Sequence, residues 1–182
     1  MSFRKPTASD VSRPAVHPAE LDDDLLRAEC DVTTTRRSGP GGQHRNKVET
    51  AVVITHRPTG VRAEANERRS QHENALVAWR RIRVQLATKF RVQRESSAIP
   101  SLQWLQRAKG GISNVNPENA DFPALLALAL DTIYAADLRM RDAARALHVT
   151  ATQLTRLVAL APAALAELNR LRKERGLRAL QV

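Results

Sequence analysis

Apolar and polar positions change their spacing twice along the chain. Over residues 31–37 β-branched side chains alternate, with Val32, Thr34 and Arg36 on one side. That predicts a strand running into Ser38-Gly-Pro-Gly-Gly42. Residues 51–56 and 61–65 read as two more strands around Arg57-Pro-Thr-Gly60, whose Pro and Gly sit where a type I turn accepts them. The second arm turns Val61, Ala63 and Ala65 to one face and Arg62 and Glu64 to the other. Ser70-Gln-His-Glu73 then has the form of a capping box, so a helix starts there. Ala75, Trp79, Ile82, Leu86 and Phe90 follow at intervals of three and four and predict its buried stripe. Arg80, Arg83, Arg91 and Arg94 line another side, as a solvated face or a contact for RNA, and Ser96, Ser97 and Pro100 end the helix.

Beyond Pro117 the pattern becomes Ala/Leu-rich and helical throughout. Four helices are predicted, over 123–136, 139–147, 152–160 and 162–175, with Gly176 as the last C-cap. The middle pair, joined by Leu147-His-Val149 with Thr150 as the next cap, has the spacing of a helix-turn-helix unit. His148 stands where such a turn favours glycine, and histidine enters the left-handed region more readily than most residues. These periods give four regions. Residues 1–16 are an expected disordered leader, 17–95 an α+β domain of three or more strands on a long helix, 96–116 a linker with a short helix, and 117–182 a small all-α domain.

Charge locates the partner more sharply than hydropathy does. Between Arg36 and Arg94 there are 14 basic and four acidic side chains, an excess of ten that equals the +10 of the whole 182-residue chain. After Gly110, nine basic residues face seven acidic ones. An anionic partner, nucleic acid first, is therefore expected at the middle of the chain. The six aromatics form no closely spaced set able to stack unpaired bases, so contact with the phosphate backbone is the expected mode. The single cysteine, Cys30, excludes an intrachain disulfide and reads as a small apolar residue. The longest apolar run, 123–130, is broken by Asp131 and falls short of the ~20 residues of a membrane span. A cytoplasmic location with no membrane contact is expected. Five histidines (His17, His44, His56, His72, His148) never take a metal-ligand spacing with a carboxylate or with Cys30, and neither a metal nor another cofactor is expected.

Residues 36–47, Arg-Arg-Ser-Gly-Pro-Gly-Gly-Gln-His-Arg-Asn-Lys, hold the candidate chemistry. Three glycines and a proline in four places make a slim tip that presents bare backbone, and main-chain N–H groups there can bind phosphate or a developing oxyanion. Arg36, Arg37, Arg45, Lys47 and Arg57 surround it or lie close in sequence. Neither nucleotide-binding glycine pattern is present. A plain glycine-rich turn on a basic surface accounts for the glycines equally well.

The ordered series Arg37-Ser-Gly-Pro-Gly-Gly-Gln-His-x-Asn-Lys-x-Glu-Thr-Ala51, then Thr55-His-x-Pro-Thr-Gly60, then Arg69-Ser-Gln-x-x-Asn74, resembles the catalytic domain of peptide chain release factors. The resemblance covers roughly residues 25–92 and implies the small α+β domain that triggers hydrolysis of the peptidyl-tRNA ester in the ribosomal peptidyl transferase centre. It implies that Gly41 and Gly42 are the conformational hinge, and that the backbone N–H of Gln43 is the oxyanion donor while its side chain admits water. Arg36, Arg37, Ser38, His44, Arg45, Asn46 and Lys47 would then hold ribosomal RNA or the tRNA end. Arg69, Ser70, Gln71 and Asn74 would either brace the loop or contact RNA. The ribosome, peptidyl-tRNA and a glutamine N-methyltransferase acting on Gln43 are the implied partners of a chain expected to act as a monomer.

No Pro-x-Thr or Ser-Pro-Phe tripeptide of the stop-codon-reading kind occurs, so the resemblance is to shortened, codon-independent members that rescue stalled ribosomes. One rescue branch carries a disordered, densely basic tail; here residues 170–178 are broken by Leu171, Glu174 and Leu177 and read as helical. The competing function is a non-catalytic RNA- or DNA-binding protein that docks through the basic domain and reads through the helix-turn-helix.

Overall fold

A computed structural model of the chain describes residues 16–35, 50–94 and 100–181. The leader expected over 1–16, apart from Val16, and the loop 36–47 lie outside the described residues. The chain divides into two compact units, Leu21–Leu86 and Met1–Glu20 with Ala87–Val182. The first is α+β and the second is built from helices.

The α+β unit opens with α1 (Asp23–Ala28) and a three-stranded antiparallel sheet of β1 (Cys30–Thr35), β2 (Ala51–His56) and β3 (Arg62–Ala65), in that order across the sheet. The predicted hairpin is present: Gly60 takes φ +70°, its N–H reaches the His56 carbonyl at 2.8 Å, and His56 N–H reaches Val61 O at 2.9 Å. Val52, Ile54, Ala63 and Ala65 bury one face of the sheet, and α2 (Gln71–Lys89) turns Ala78, Ile82 and Leu86 to the interior. The buried row of α2 is Asn74, Ala78, Ile82 and Leu86, each 0% exposed, rather than the predicted row through Ala75, Trp79 and Phe90. The pattern misled because Trp79 is only half-buried and carries the Arg27 guanidinium over its ring at 4.7 Å, so a wet cation covers it instead of core.

In the helical unit the central element is α4 (Phe122–Ala135), whose residues are apolar and buried nearly all round, as a helix enclosed by others must be. Around it run α3 (Leu102–Lys109), α5 (Met140–Ala146), α6 (Ala151–Ala159) and α7 (Pro162–Glu174). Trp104 of α3 lies in the stretch read as a linker, yet it is 0% exposed and its Nε1–H donates to Leu147 O at 2.9 Å. Helix α3 is therefore packed into the helical unit through Trp104. Three helix ends close in the same way. Asp137, His148 and Gly176 adopt φ of +51°, +55° and +69°. In each case the next residue's N–H returns to the last turn: Leu138 to Ile133 O, Val149 to Ala144 O and Leu177 to Arg172 O. After Gly176 the chain doubles back along α7, where Asn169 and Leu180 exchange hydrogen bonds of 3.1 and 2.7 Å.

Candidate functional site

The sheet register fixes where the glycine-rich connection begins and ends. Thr35 and Ala51 are cross-strand partners at one end of the β1/β2 ladder, so residues 36–50 leave and rejoin the sheet at a single place. Gly41, Gly42 and Gln43, with Arg36, Arg37, Ser38, His44, Arg45, Asn46 and Lys47, belong to this connection and lie outside the described residues. What is described is its foot.

Asn74 holds that foot. Its Nδ2–H₂ donates to Thr50 O at 2.7 Å and to Arg68 O at 2.9 Å, and its Oδ1 accepts the Arg68 N–H at 2.9 Å. One buried amide thus joins the last residue before β2 to the turn that leads from β3 into α2. Helix α2 can begin there because Ser70 Oγ accepts the Glu73 N–H at 3.4 Å. Of the two readings of the Arg69-Ser-Gln-x-x-Asn74 motif, bracing fits Asn74, which is 0% exposed and has both polar atoms engaged by backbone. Arg69 and Gln71, with Arg68 and His72, are exposed on the same turn, beside the foot of the connection. The turn is stiffened from behind by Arg81, which donates to Glu64 O at 2.8 Å and meets Glu67 at 2.5 Å. The hydrogen bond from Arg81 holds the Glu67 carboxyl below its ordinary range.

Arg57 lies apart from this foot. His56 pairs with Cys30, at the end of the ladder opposite Thr35 and Ala51, about 17 Å from the foot at strand spacing. There the Arg57 guanidinium meets Asp31 at 2.7 Å and also donates to Ala28 O. Arg57 is thus at the other end of the ladder from the place where the glycine-rich connection meets the sheet. The same end holds His56, 1% exposed, between Glu29 at 2.8 Å and Thr59 at 2.8 Å. This bracket of the hairpin escaped the sequence reading, which weighed His56 only as a metal ligand. Cys30 beside it is buried, and burial pushes its thiol up, away from the reactive thiolate. Among the described residues, no three or more His, Cys, Asp or Glu side chains gather as a metal site.

The predicted arginine row does not form one open cationic face, and α2 ends at Lys89, before Arg91 and Arg94. Arg83 donates to Leu21 O at 2.7 Å and to Asp23 at 2.6 Å. Arg91 and Arg94 lie in the helical unit and converge at 3.2 and 3.1 Å on Asp131 of α4, whose side chain is 0% exposed. Acceptors far off in sequence, which periodicity on one helix cannot register, take these arginines out of solvent.

A brace from an Arg-Ser-Gln-x-x-Asn turn to the foot of a Gly-Gly-Gln connection ties together two of the sequence motifs that resembled release factors. The sequence model of the RF-1 domain family matches residues 20–118, more than half of the chain. The chain belongs to the RF-1 domain family. It is 42% identical over 78 residues to peptide chain release factor 2 of Paramagnetospirillum magneticum, an alignment covering 43% of this chain and 21% of that protein. To peptide chain release factor 1 of Xylella fastidiosa it is 40% identical over 92 residues, covering 50% of this chain and 23% of that one. The RF-1 domain chain thus spans less than a quarter of the length of either relative. Within the matched residues 20–118 fall the whole sheet, α2, α3 and every motif residue of the candidate site.

Proposed function

We propose that the chain is a peptidyl-tRNA ester hydrolase of the release-factor type, acting on the ribosome without reading a codon. The observation that carries this is Gly41-Gly42-Gln43 within an RF-1 domain, on a connection whose two ends are pinned by strand pairing and by Asn74. The chemistry follows from what such a tip presents. The attacking water adds to the ester carbonyl, the carbonyl oxygen gains negative charge, and a main-chain N–H donor at Gln43 stabilises it without any side-chain base. The tRNA 3′ oxygen leaves with the proton. Glycines at 41 and 42 let the backbone approach where a Cβ would collide with substrate. Cations of residues 36–47, with exposed Arg69 and Gln71, hold RNA mainly through phosphate. Ribosome and peptidyl-tRNA are the partners in this reading. Gln43 is the residue a glutamine N-methyltransferase would modify, and the chain acts as a monomer in the cytoplasm.

Codon independence is favoured because neither stop-codon tripeptide occurs in the 182 residues. The deciding experiment is release of labelled peptide from ribosomes stalled with an empty A site, a sense codon or a stop codon. The empty-site complex should release at least as fast as the stop-codon complex, and Gly42→Ala should slow release by about 100-fold or more. Normal release by Gly42→Ala would take the glycine-rich segment out of the chemistry. Release confined to stop codons would instead make the chain a codon reader.

A further inference from the structure

The helical unit carries a feature that ester hydrolysis at the 41–43 tip does not use. Helices α5 and α6 are short, amphipathic and joined by a tight left-handed turn. His148 at φ +55° closes α5, and Thr150 opens α6 with a complete capping box, its Oγ1 accepting the Gln153 N–H at 3.1 Å while Gln153 Oε1 accepts the Thr150 N–H at 2.9 Å. Both helices pack on α4 and on each other, and α6 also packs on α7; the first buries Ala143, Ala144 and Leu147 and the second Leu154, Leu157 and Val158. Each also has an exposed row. On α5 that row is Arg141 and Arg145, one turn apart; on α6 it is Thr152 and Arg156, also one turn apart.

Three properties of this outer surface decide what it fits. It is cationic: Arg141, Arg145 and Arg156 are exposed, and the nearby acid Asp142 is engaged by Arg139 at 3.0 Å. Arg145 itself is 83% exposed and only 3.9 Å, at the nearest, from the same carboxylate. It lacks an apolar centre: among the described residues the exposed large hydrophobics are Val16, Leu25, Val32, Leu76 and Leu102, none of them on α5 or α6. A protein partner would want such a centre. Finally, neither helix bears an aromatic ring on which an unpaired base could stack. Thr152 near the start of the second helix and Arg156 in its last turn are exposed, and both are groups that hold a phosphate backbone.

We infer that the outer face of α5 and α6 is a second nucleic-acid site, which docks double-stranded RNA through its phosphate backbone. The choice of RNA over DNA rests on the ribosomal reading proposed above. Three arginines engage few phosphates, so the face is a weak anchor on its own. Covalently joined to the basic stretch 36–94, it raises the affinity of the whole chain by acting at high effective concentration.

The test uses the full chain with no ribosome and no ester, so its outcome is independent of whether the chain hydrolyses anything. An RNA hairpin of about 20 base pairs and a DNA hairpin of the same sequence are titrated by fluorescence anisotropy across a salt series. The triple variant Arg141→Gln, Arg145→Gln, Arg156→Gln should bind the RNA hairpin about tenfold more weakly, and its log affinity against log salt slope should flatten by about 2 to 3. A control, Lys173→Gln with Arg178→Gln, removes exposed charge elsewhere on the same unit and should flatten the slope by less than 1. Thr152→Glu places a negative charge on the outer row of α6 with no buried contact to disturb, and should weaken RNA binding as well. An unchanged affinity and slope for the triple variant, or wild-type binding tenfold tighter to DNA than to RNA, would overturn the proposal.

Discussion

Asn74 shows how a single residue can look like a contact and act as a fastener. Its motif neighbours Arg69 and Gln71 face solvent, whereas Asn74 spends both polar atoms on the backbone of Thr50 and Arg68. Asn74→Ala leaves one N–H and two carbonyls unpaired in a buried place, each costing about 1 to 3 kcal/mol when orphaned, less where water can enter. We expect a loss of about 2 to 4 kcal/mol in urea unfolding, whereas Arg69→Ala should change stability by less than about 0.5 kcal/mol and weaken ribosome binding instead. Equal stability losses for the two would erase the distinction between brace and contact. Nothing in the sequence separates these residues except their spacing. Position 74 falls on the inner row with Ala78 and Ile82, a row identifiable only once Trp79 is known to lie under Arg27.

At the scale of elements, local chemistry was legible and long-range pairing was not. The hairpin around Gly60, the helix starts at Ser70 and Thr150, the left-handed closures at His148 and Gly176 and the four helices after residue 117 all follow from residues within a few positions of one another. The closure at Asp137 was missed although aspartate, like histidine, enters the left-handed region more readily than most residues; the Leu138 that follows it at φ +62° does not. Arg91 and Arg94, just past the end of α2, escaped for a different reason: their partner lies 40 and 37 positions away on α4. Asp131 there accepts from Arg91, from Arg94 and from the Val92 N–H at 3.2 Å. Arg91 is also stacked over Tyr134 at 5.1 Å, and Arg94 reaches Glu20. Asp131→Asn keeps the shape but leaves two guanidiniums against a neutral amide, and should cost about 3 to 5 kcal/mol. Asp142→Asn, which touches only the exposed Arg139 and Arg145, should cost less than about 1 kcal/mol. Comparable unfolding midpoints for the two variants would show that the α4 aspartate contributes no more than a surface ion pair.

For the molecule as a whole, the division into two units is matched by its two tryptophans, Trp79 in Leu21–Leu86 and Trp104 in the helical unit. The helical unit also contains His17, which is 0% exposed. Its Nδ1 accepts the Ala19 N–H at 3.0 Å and its Nε2 lies 3.1 Å from Phe90 O, the neutral tautomer that donates from Nε2. Burial, with Arg91 and Arg94 nearby, lowers its pKa to about 3, so the folded unit refuses a proton that the unfolded chain accepts from about pH 6.5 downward. The stability tied to this histidine is therefore fully present above pH 6.5 and falls by up to about 1.4 kcal/mol per pH unit as pH drops toward 3. Glu20 and Asp131, both pushed up by burial, act in the opposite sense, because their folded forms take up protons first as pH falls. The wild-type profile is the sum of these opposed slopes, and His17→Gln isolates one of them. Denaturant midpoints followed by Trp104 emission in a Trp79→Phe background should fall between pH 6.5 and 4 more steeply in the wild type than in His17→Gln, with the two curves parallel above pH 7. Identical slopes across the acid range would mean that His17 is protonated in the folded chain and that its hydrogen bond from Ala19 is not kept.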